Sequence, residues 1–175
     1  MSDVVAVRQA TVADADVIAR QRALMFAEMH LLAPGSAGEL TEKSGRYLRA
    51  AIANGEYVGW LAHQKGAPAE IVAGAGVQLR NTLPHPRTPV GAPHGREAIV
   101  LNVYTEPAWR GRGIAEALMR RVIEWAGEEG LHTLVLHASE AGRPLYERLG
   151  FASTNEMRFT GTLGTMPAPA KGERT

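Results

Sequence analysis

Between Arg110 and Ala115 the chain reads Arg-Gly-Arg-Gly-Ile-Ala, a stretch whose residue types suit an anionic ligand. Glycines let a backbone approach a bound group closely, and the N–H groups of a first helical turn attract anions. Arg110 and Arg112 set positive charge beside them. The expected ligand is a phosphate or pyrophosphate. The competing reading of this segment alone is a tight loop with solvated arginines. Other nucleotide motifs fit less well. A Walker loop needs Gly-Lys-Ser or Gly-Lys-Thr, which the chain lacks. A dinucleotide fingerprint needs three spaced glycines in an early βαβ unit, and here Gly111 and Gly113 come late.

The remaining reactive side chains narrow the chemistry further. Ser139 is flanked by Ala138 and Glu140 and has no Gly-x-Ser-x-Gly elbow, so a hydrolase nucleophile is not expected. His30, His85 and His94 match no metal-ligand spacing, and no metal is expected. The chain has no cysteine, which removes disulfides, thiolate ligands and a cysteine nucleophile.

These residues need elements to hold them. Val4, Val5 and Val7 read as a first strand, and Thr11 with Asp14 resembles a capping box for a helix from Ala13 to about Met29. Met25, Phe26 and Met29 sit at helical spacing and read as core. Pro34 to Gly38 interrupts that helix, and Thr41 is placed to cap a second one through about Ile52. Tyr57–Ala62 and Ile71–Leu79 read as a hairpin around Lys65-Gly66-Ala67-Pro68. Residues 80–96 carry no periodicity and read as a substrate-facing loop or a mobile connection. Ile99–Thr105 reads as a central strand. An amphipathic helix from Gly113 to Glu129 follows, with Ile114, Leu118, Val122 and Trp125 on one side. Leu131–Ala138 reads as the next strand, then a short helix through Leu145, Tyr146 and Leu149, and a last strand near Glu156–Thr160. The tail, 161–175, is rich in Gly, Pro, Ala and Thr and is expected to be loosely ordered. This is a mixed α/β pattern in one domain, 1–160, without a repeat.

Composition sets the outer bounds. A chain of 175 residues has the length of one domain and enough interior for a core. Nineteen basic against eighteen acidic residues leave a net charge of +1, which offers no field for a polyanion, so nucleic acid is not an expected partner. No run of about 20 apolar residues suits a membrane span, and the first residues do not form a signal peptide, so a cytoplasmic protein is expected.

Two ordered motifs then carry a resemblance. Arg110-Gly111-Arg112-Gly113-Ile114-Ala115 and the later Leu145-Tyr146-Glu147-Arg148-Leu149-Gly150-Phe151 resemble the GCN5-related N-acetyltransferase (GNAT) family, as does the order of elements to about Thr160. The resemblance implies a twisted, mostly antiparallel sheet splayed between its fourth and fifth strands to admit acetyl-CoA. It implies that backbone amides of the 110–115 turn bind the pyrophosphate. The strand Leu101–Thr105, including Tyr104, would lie along the pantetheine arm, with backbone groups of Val103 and Thr105 paired to it. Ser139 stands where the family often has asparagine, and would keep one hydrogen bond to that arm. Gly142 stands where alanine is common, which would weaken the short helix and open space. Tyr146 matches the tyrosine near the cofactor sulfur that often acts as general acid.

The implied reaction is acetylation of a small primary amine; acetylation of a protein amine, or acyl-CoA binding without catalysis, are the alternatives. An alkyl ammonium must lose a proton before it can attack a thioester. The oxyanion formed would be met by a strand amide such as that of Val103, and Tyr146 would protonate the leaving thiolate. The base has several candidates. His137, two residues before Ser139 and so on its side of a regular strand, has a suitable ordinary pKa. Asn102 positioning a water, Glu28, His30, and simple release to solvent are the others. One edge of Met25, Phe26 and Met29 would line the acceptor site, and relatives often pair as homodimers.

Overall fold

A computed structural model describes residues 4–84, 86, 95–154 and 156–157. Among these residues five strands form one sheet in the order β1-β2-β3-β4-β5: Val5–Gln9, Tyr57–Gln64, Ala67–Thr82, Gly95–Thr105 and Thr133–Leu136. The first four pair antiparallel, and β5 runs parallel to β4. Three main helices cover it: α1 (Ala15–Glu28), α2 (Ala37–Ala53) and α3 (Ile114–Glu128). A fourth, α4, is the short Arg143–Arg148. The expected mixed, mostly antiparallel sheet flanked by helices is therefore the architecture observed.

The two faces of the sheet are covered separately. On one, α3 buries Ile114, Leu118, Met119, Val122 and Trp125 against Trp60, Ala62, Val77, Ala98 and Val100. The Trp60 and Trp125 rings meet edge to face at 5.3 Å. Each large apolar side chain so buried contributes about 1.5–3 kcal/mol. On the other face, α1 and α2 bring Ile18, Ala19, Leu48 and Ala51 onto Tyr57 and Leu61. Alternation along β2 sends Tyr57 and Leu61 to one side and Trp60 and Ala62 to the other.

Several boundaries differ from the sequence reading. A 3-10 turn, Val12–Asp14, precedes α1, and Asp14 accepts hydrogen bonds from the Thr11 N–H (2.8 Å) and hydroxyl (2.9 Å). The second helix begins at Ala37 rather than after Thr41, whose hydroxyl instead donates back to the Ala37 carbonyl at 2.8 Å. Both strands flanking residues 80–96 run into that segment, β3 to Thr82 and β4 from Gly95, with Arg80 opposite Glu97. Cross-strand pairing thus orders a stretch that has no periodicity of its own. Residues 85 and 87–94 lie outside the described residues.

The strand expected over Leu131–Ala138 contracts to Thr133–Leu136. Of the expected last strand, Glu156 and Met157 are in no strand, and 158–160 lie outside the described residues, as does the tail. Met25, Phe26 and Met29 are not core: the first two are half-buried and Met29, past the end of α1, is 38% exposed.

Candidate active site

β4 and β5, the last pair of the sheet among the described residues, part company partway along β4. Their register runs Glu97↔Thr133, Ala98↔Leu134, Ile99↔Val135 and Val100↔Leu136, and stops there. β4 continues to Thr105, paired with β3 on its other side, so Leu101–Thr105 has an edge that β5 does not cover. Unpaired strand edges are ready hydrogen-bonding surfaces for an extended group. Within this stretch the β3–β4 register slips between Gly74↔Tyr104 and Gly76↔Leu101, and Asn102 at the slip has a φ of 58°. Asparagine tolerates this left-handed backbone better than most residues. The Thr105 hydroxyl oxygen is buried without a hydrogen-bond partner among the described residues.

The turn from β4 into α3 opens beside this edge. Gly111 and Gly113 have φ values of 73° and 74°, and a Cβ at either would meet nothing within 4 Å. Positive φ at both positions is what glycine supplies. Gly113 caps α3, whose first-turn N–H groups have no intrahelical acceptor and carry the positive end of the helix dipole. Ile114 anchors the turn from below, its side chain 3% exposed in the α3 core, and Ala115 is half-buried.

The two arginines of the turn fold back onto the protein. Arg110 forms a two-oxygen ion pair with Glu28, 2.7 Å to each oxygen, and its Nε donates to the Thr105 carbonyl at 2.9 Å. The buried Tyr104 ring lies 5.7 Å from this guanidinium, and its hydroxyl donates to Glu28 at 3.3 Å. Burial pushes the Tyr104 hydroxyl pKa up. Arg112 lies over Trp109 at 4.9 Å and donates to the Ala108 carbonyl. Glu28, a candidate base, is thus the counterion of Arg110, and His30 is exposed in the loop after α1.

Across the opening, α4 carries Tyr146. The phenol is half-buried, edge to face with Phe151 at 6.1 Å, and burial raises its pKa above the ordinary value of 10.0. The Gly142 N–H donates to the Ser139 hydroxyl at 3.1 Å. A Cβ at Gly142 would stand 2.9 Å from the Tyr146 ring and 3.1 Å from that hydroxyl, so the residue leaves room for both. Val103 packs against the α3-side core.

His137 and Tyr146 border one cavity of about 370 Å³. His137 does not share a strand face with Ser139, because β5 ends at Leu136. Alternation holds only within a strand. The imidazole is largely exposed, and its Nε2 lies 3.2 Å from Glu156.

One polar group escaped the sequence reading. Arg22 on α1 donates to Asn102 Oδ1 at 2.6 Å, and Asn102 Nδ2 donates to the Tyr57 hydroxyl at 3.1 Å. Tyr57 fits because residue 76 is glycine: a Cβ there would sit 2.0 Å from its hydroxyl oxygen. The available signal was the pair Gln21-Arg22, which interrupts the apolar positions Val17, Ile18, Leu24 and Met25.

Comparison with known proteins agrees with this geometry. Residues 20–151 match the model of the acetyltransferase (GNAT) family. A crystal structure of a GCN5-related N-acetyltransferase from Ralstonia eutropha JMP134 superposes with a TM-score of 0.77 at 32% identity, over 89% of this chain and 97% of that one. A predicted acetyltransferase from Clostridium acetobutylicum, crystallised with acetyl-CoA, gives a TM-score of 0.73 at 28% identity, over 90% and 96% of the two chains. Among curated proteins, glucosamine 6-phosphate N-acetyltransferase of Trypanosoma brucei brucei is 36% identical over 59 residues, 33% of this chain and 40% of that protein. The parted strands, the glycine turn on α3 and these matches lead to one conclusion: the chain belongs to the GNAT family of acetyltransferases.

Proposed function

We propose that the protein transfers the acetyl group of acetyl-CoA to a primary amine of a small molecule. The observation that carries this reading is the edge of β4, Leu101–Thr105, that β5 leaves uncovered among the described residues and that leads into the glycine turn capping α3. The residues present fit acetyl-CoA. Open space over Gly111 and Gly113 and the free first-turn N–H groups suit a pyrophosphate, and the strand edge with its unpartnered Thr105 hydroxyl suits an amide-bearing arm. Arg110, Arg112, Ile114 and Ala115 frame the phosphate end; Val103, Tyr104, Thr105 and Ser139 flank the arm. When bound, acetyl-CoA supplies a thioester carbonyl open to an amine and a thiolate as the leaving group.

The chain supplies binding and proton handling. The N–H of Val103 is assigned to the oxygen on which charge develops. Tyr146 is assigned to donate its proton to the departing sulfur; the half-buried phenol, its pKa raised by burial, carries that proton at neutral pH. The amine proton leaves through water in the open cleft. His137 is the second candidate acceptor, supported by the cavity it shares with Tyr146. It stands second because it lies past the end of β5 and its Nε2 already faces Glu156. The match to a protein acting on glucosamine 6-phosphate supports a small acceptor over a peptide.

Release of CoA thiol in the presence of acetyl-CoA and a panel of small amines and peptides tests the reading. Turnover with small amines alone is expected. Thermal stabilisation by acetyl-CoA without turnover would make the protein a binding module instead. Calorimetry of Gly113→Trp with acetyl-CoA tests the turn, and a Kd at least about tenfold weaker is expected because the indole fills the backbone approach. Unchanged affinity would remove the turn from the cofactor site.

A further inference from the structure

Arg22 stands apart from the other half-buried arginines among the described residues. Among the described residues, the half-buried Arg8, Arg96 and Arg121 each face a carboxylate, respectively Asp14, Glu129 and Glu128. Arg22 is equally withdrawn from solvent and faces none. Its Nη1 is held by Asn102 Oδ1, and its plane lies over Phe26 at 4.6 Å. That leaves its other N–H groups without a carboxylate, and burial lowers its pKa, so the charge is held at a cost that an anion would relieve.

The guanidinium borders a cavity of about 240 Å³ between α1, α2 and the sheet. Arg22, Lys43, Tyr47, Tyr57, Gln78 and Asn102 contribute to its polar wall, and among the described residues no Asp or Glu lines it. Lys43 is paired with Glu39 on the outside of α2, so Arg22 is the cation that faces inward. The Tyr57 hydroxyl accepts from Asn102 and so keeps its own proton for a second acceptor; burial raises its pKa to about 12, which maintains that proton. Leu101 and Asn102 line the cavity and are the first residues past the last β4–β5 pair, so the cavity lies where the strands begin to part.

We infer that this cavity binds the acceptor, and that the acceptor is a small primary amine carrying an acid group, carboxylate or phosphate, which Arg22 and the Tyr57 hydroxyl hold while its nitrogen faces the parted strands. The inference rests on the acetyl-transfer reading and adds the substrate class. Two N–H donors of one guanidinium suit a two-oxygen anion, and a charge-assisted hydrogen bond in a partly dry site is roughly twice as strong as a neutral one.

Matched amines that differ in the acid group test it: L-phenylalanine against L-phenylalaninamide, and D-glucosamine 6-phosphate against D-glucosamine. The acid member of one pair should show a kcat/KM at least about tenfold higher by thiol release, and the pair that responds tells carboxylate from phosphate. Arg22→Gln should erase that preference by raising KM for the acid member alone, with KM for acetyl-CoA unchanged. Arg22→Lys should retain part of it. Equal turnover of both members in both pairs, or an equal loss for acid and neutral amines in Arg22→Gln, overturns the inference. Should Arg22→Gln not fold, the comparison of wild type with Arg22→Lys decides: the same KM for the acid member in both overturns it.

Should no amine release thiol, the acetyl-transfer reading fails by itself. Calorimetry of the same four amines with the wild-type protein then judges the cavity. Heat from an acid member and none from its neutral partner supports the anion site, and no heat from either acid overturns it.

Discussion

On the α3 face of the sheet, Leu118, Met119 and Val122 are fully buried against tryptophan and valine, and among the described residues no buried polar side chain interrupts them. On the α1–α2 face the core is built mostly from alanines around Ile18, Leu48 and Leu61, and it admits Gln21, Ser44 and Asn102. The difference is one of purpose. Apolar area removed from water is cohesive and indifferent to direction, whereas buried amides and a guanidinium are directional and cost stability unless partnered. The first face holds the molecule together and anchors the glycine turn through Ile114. The second forms a cavity whose leucines are interrupted by Arg22, Tyr57 and Asn102, at the point where β4 and β5 separate.

That contrast can be broken, starting with the largest effect. Tyr146 packs on the α3-side core, yet its assigned work is chemical. Tyr146→Phe should keep acetyl-CoA affinity and lower kcat by about 10²–10⁴-fold, the range for loss of a general acid. In the same assay His137→Gln should change kcat by less than about threefold, consistent with water as the proton acceptor; a larger loss with an altered pH profile would assign the base to His137. Leu118→Ala should cost about 2–5 kcal/mol in urea unfolding, by lost burial plus a cavity, while kcat per folded molecule is unchanged.

A smaller effect concerns the start of α1. The Arg8 guanidinium, bonded at 2.7 and 2.8 Å, holds the Asp14 carboxyl at about 2, below its ordinary 3.8. A folded pKa below the unfolded one means stabilisation above about pH 4 that is lost as pH falls toward 2, amounting to about 2 kcal/mol. Urea midpoints at pH 5 and pH 2 should show that loss in the wild type, and a reduced one in Asp14→Asn. The smallest change is expected at Gln21, which is 1% exposed with an amide nitrogen that has no partner among the described residues. Gln21→Met should leave stability unchanged or raise it by up to about 1 kcal/mol, because the donor it removes is buried without an acceptor and costs the folded state its desolvation. A loss of several kcal/mol would show that this face, too, depends on its polar groups for cohesion.

Legibility from sequence followed the same division. The α3 stripe, Ile114, Leu118, Val122 and Trp125, was readable because local periodicity and burial agree. The anion turn was readable because Gly111 and Gly113 are needed for positive φ wherever the fold puts them. The cavity was not, because its residues are 80 positions apart for Arg22 and Asn102 and 45 for Asn102 and Tyr57. The sequence places the charge of Arg110 beside the turn, and only folding brings Glu28, 82 positions away, to its side. His137 was placed by an alternation that stops when β5 ends.

What the sequence alone determined is therefore local: the apolar helix, the glycine turn, the tyrosine helix and, through two ordered motifs, the family. Tertiary structure decided where β4 loses its β5 neighbour, which arginines acquire carboxylates, and that the half-buried Arg22 faces a cavity without one. Those outcomes depend on strand register and on contacts between distant segments, and the spacing of neighbouring residues holds no record of either.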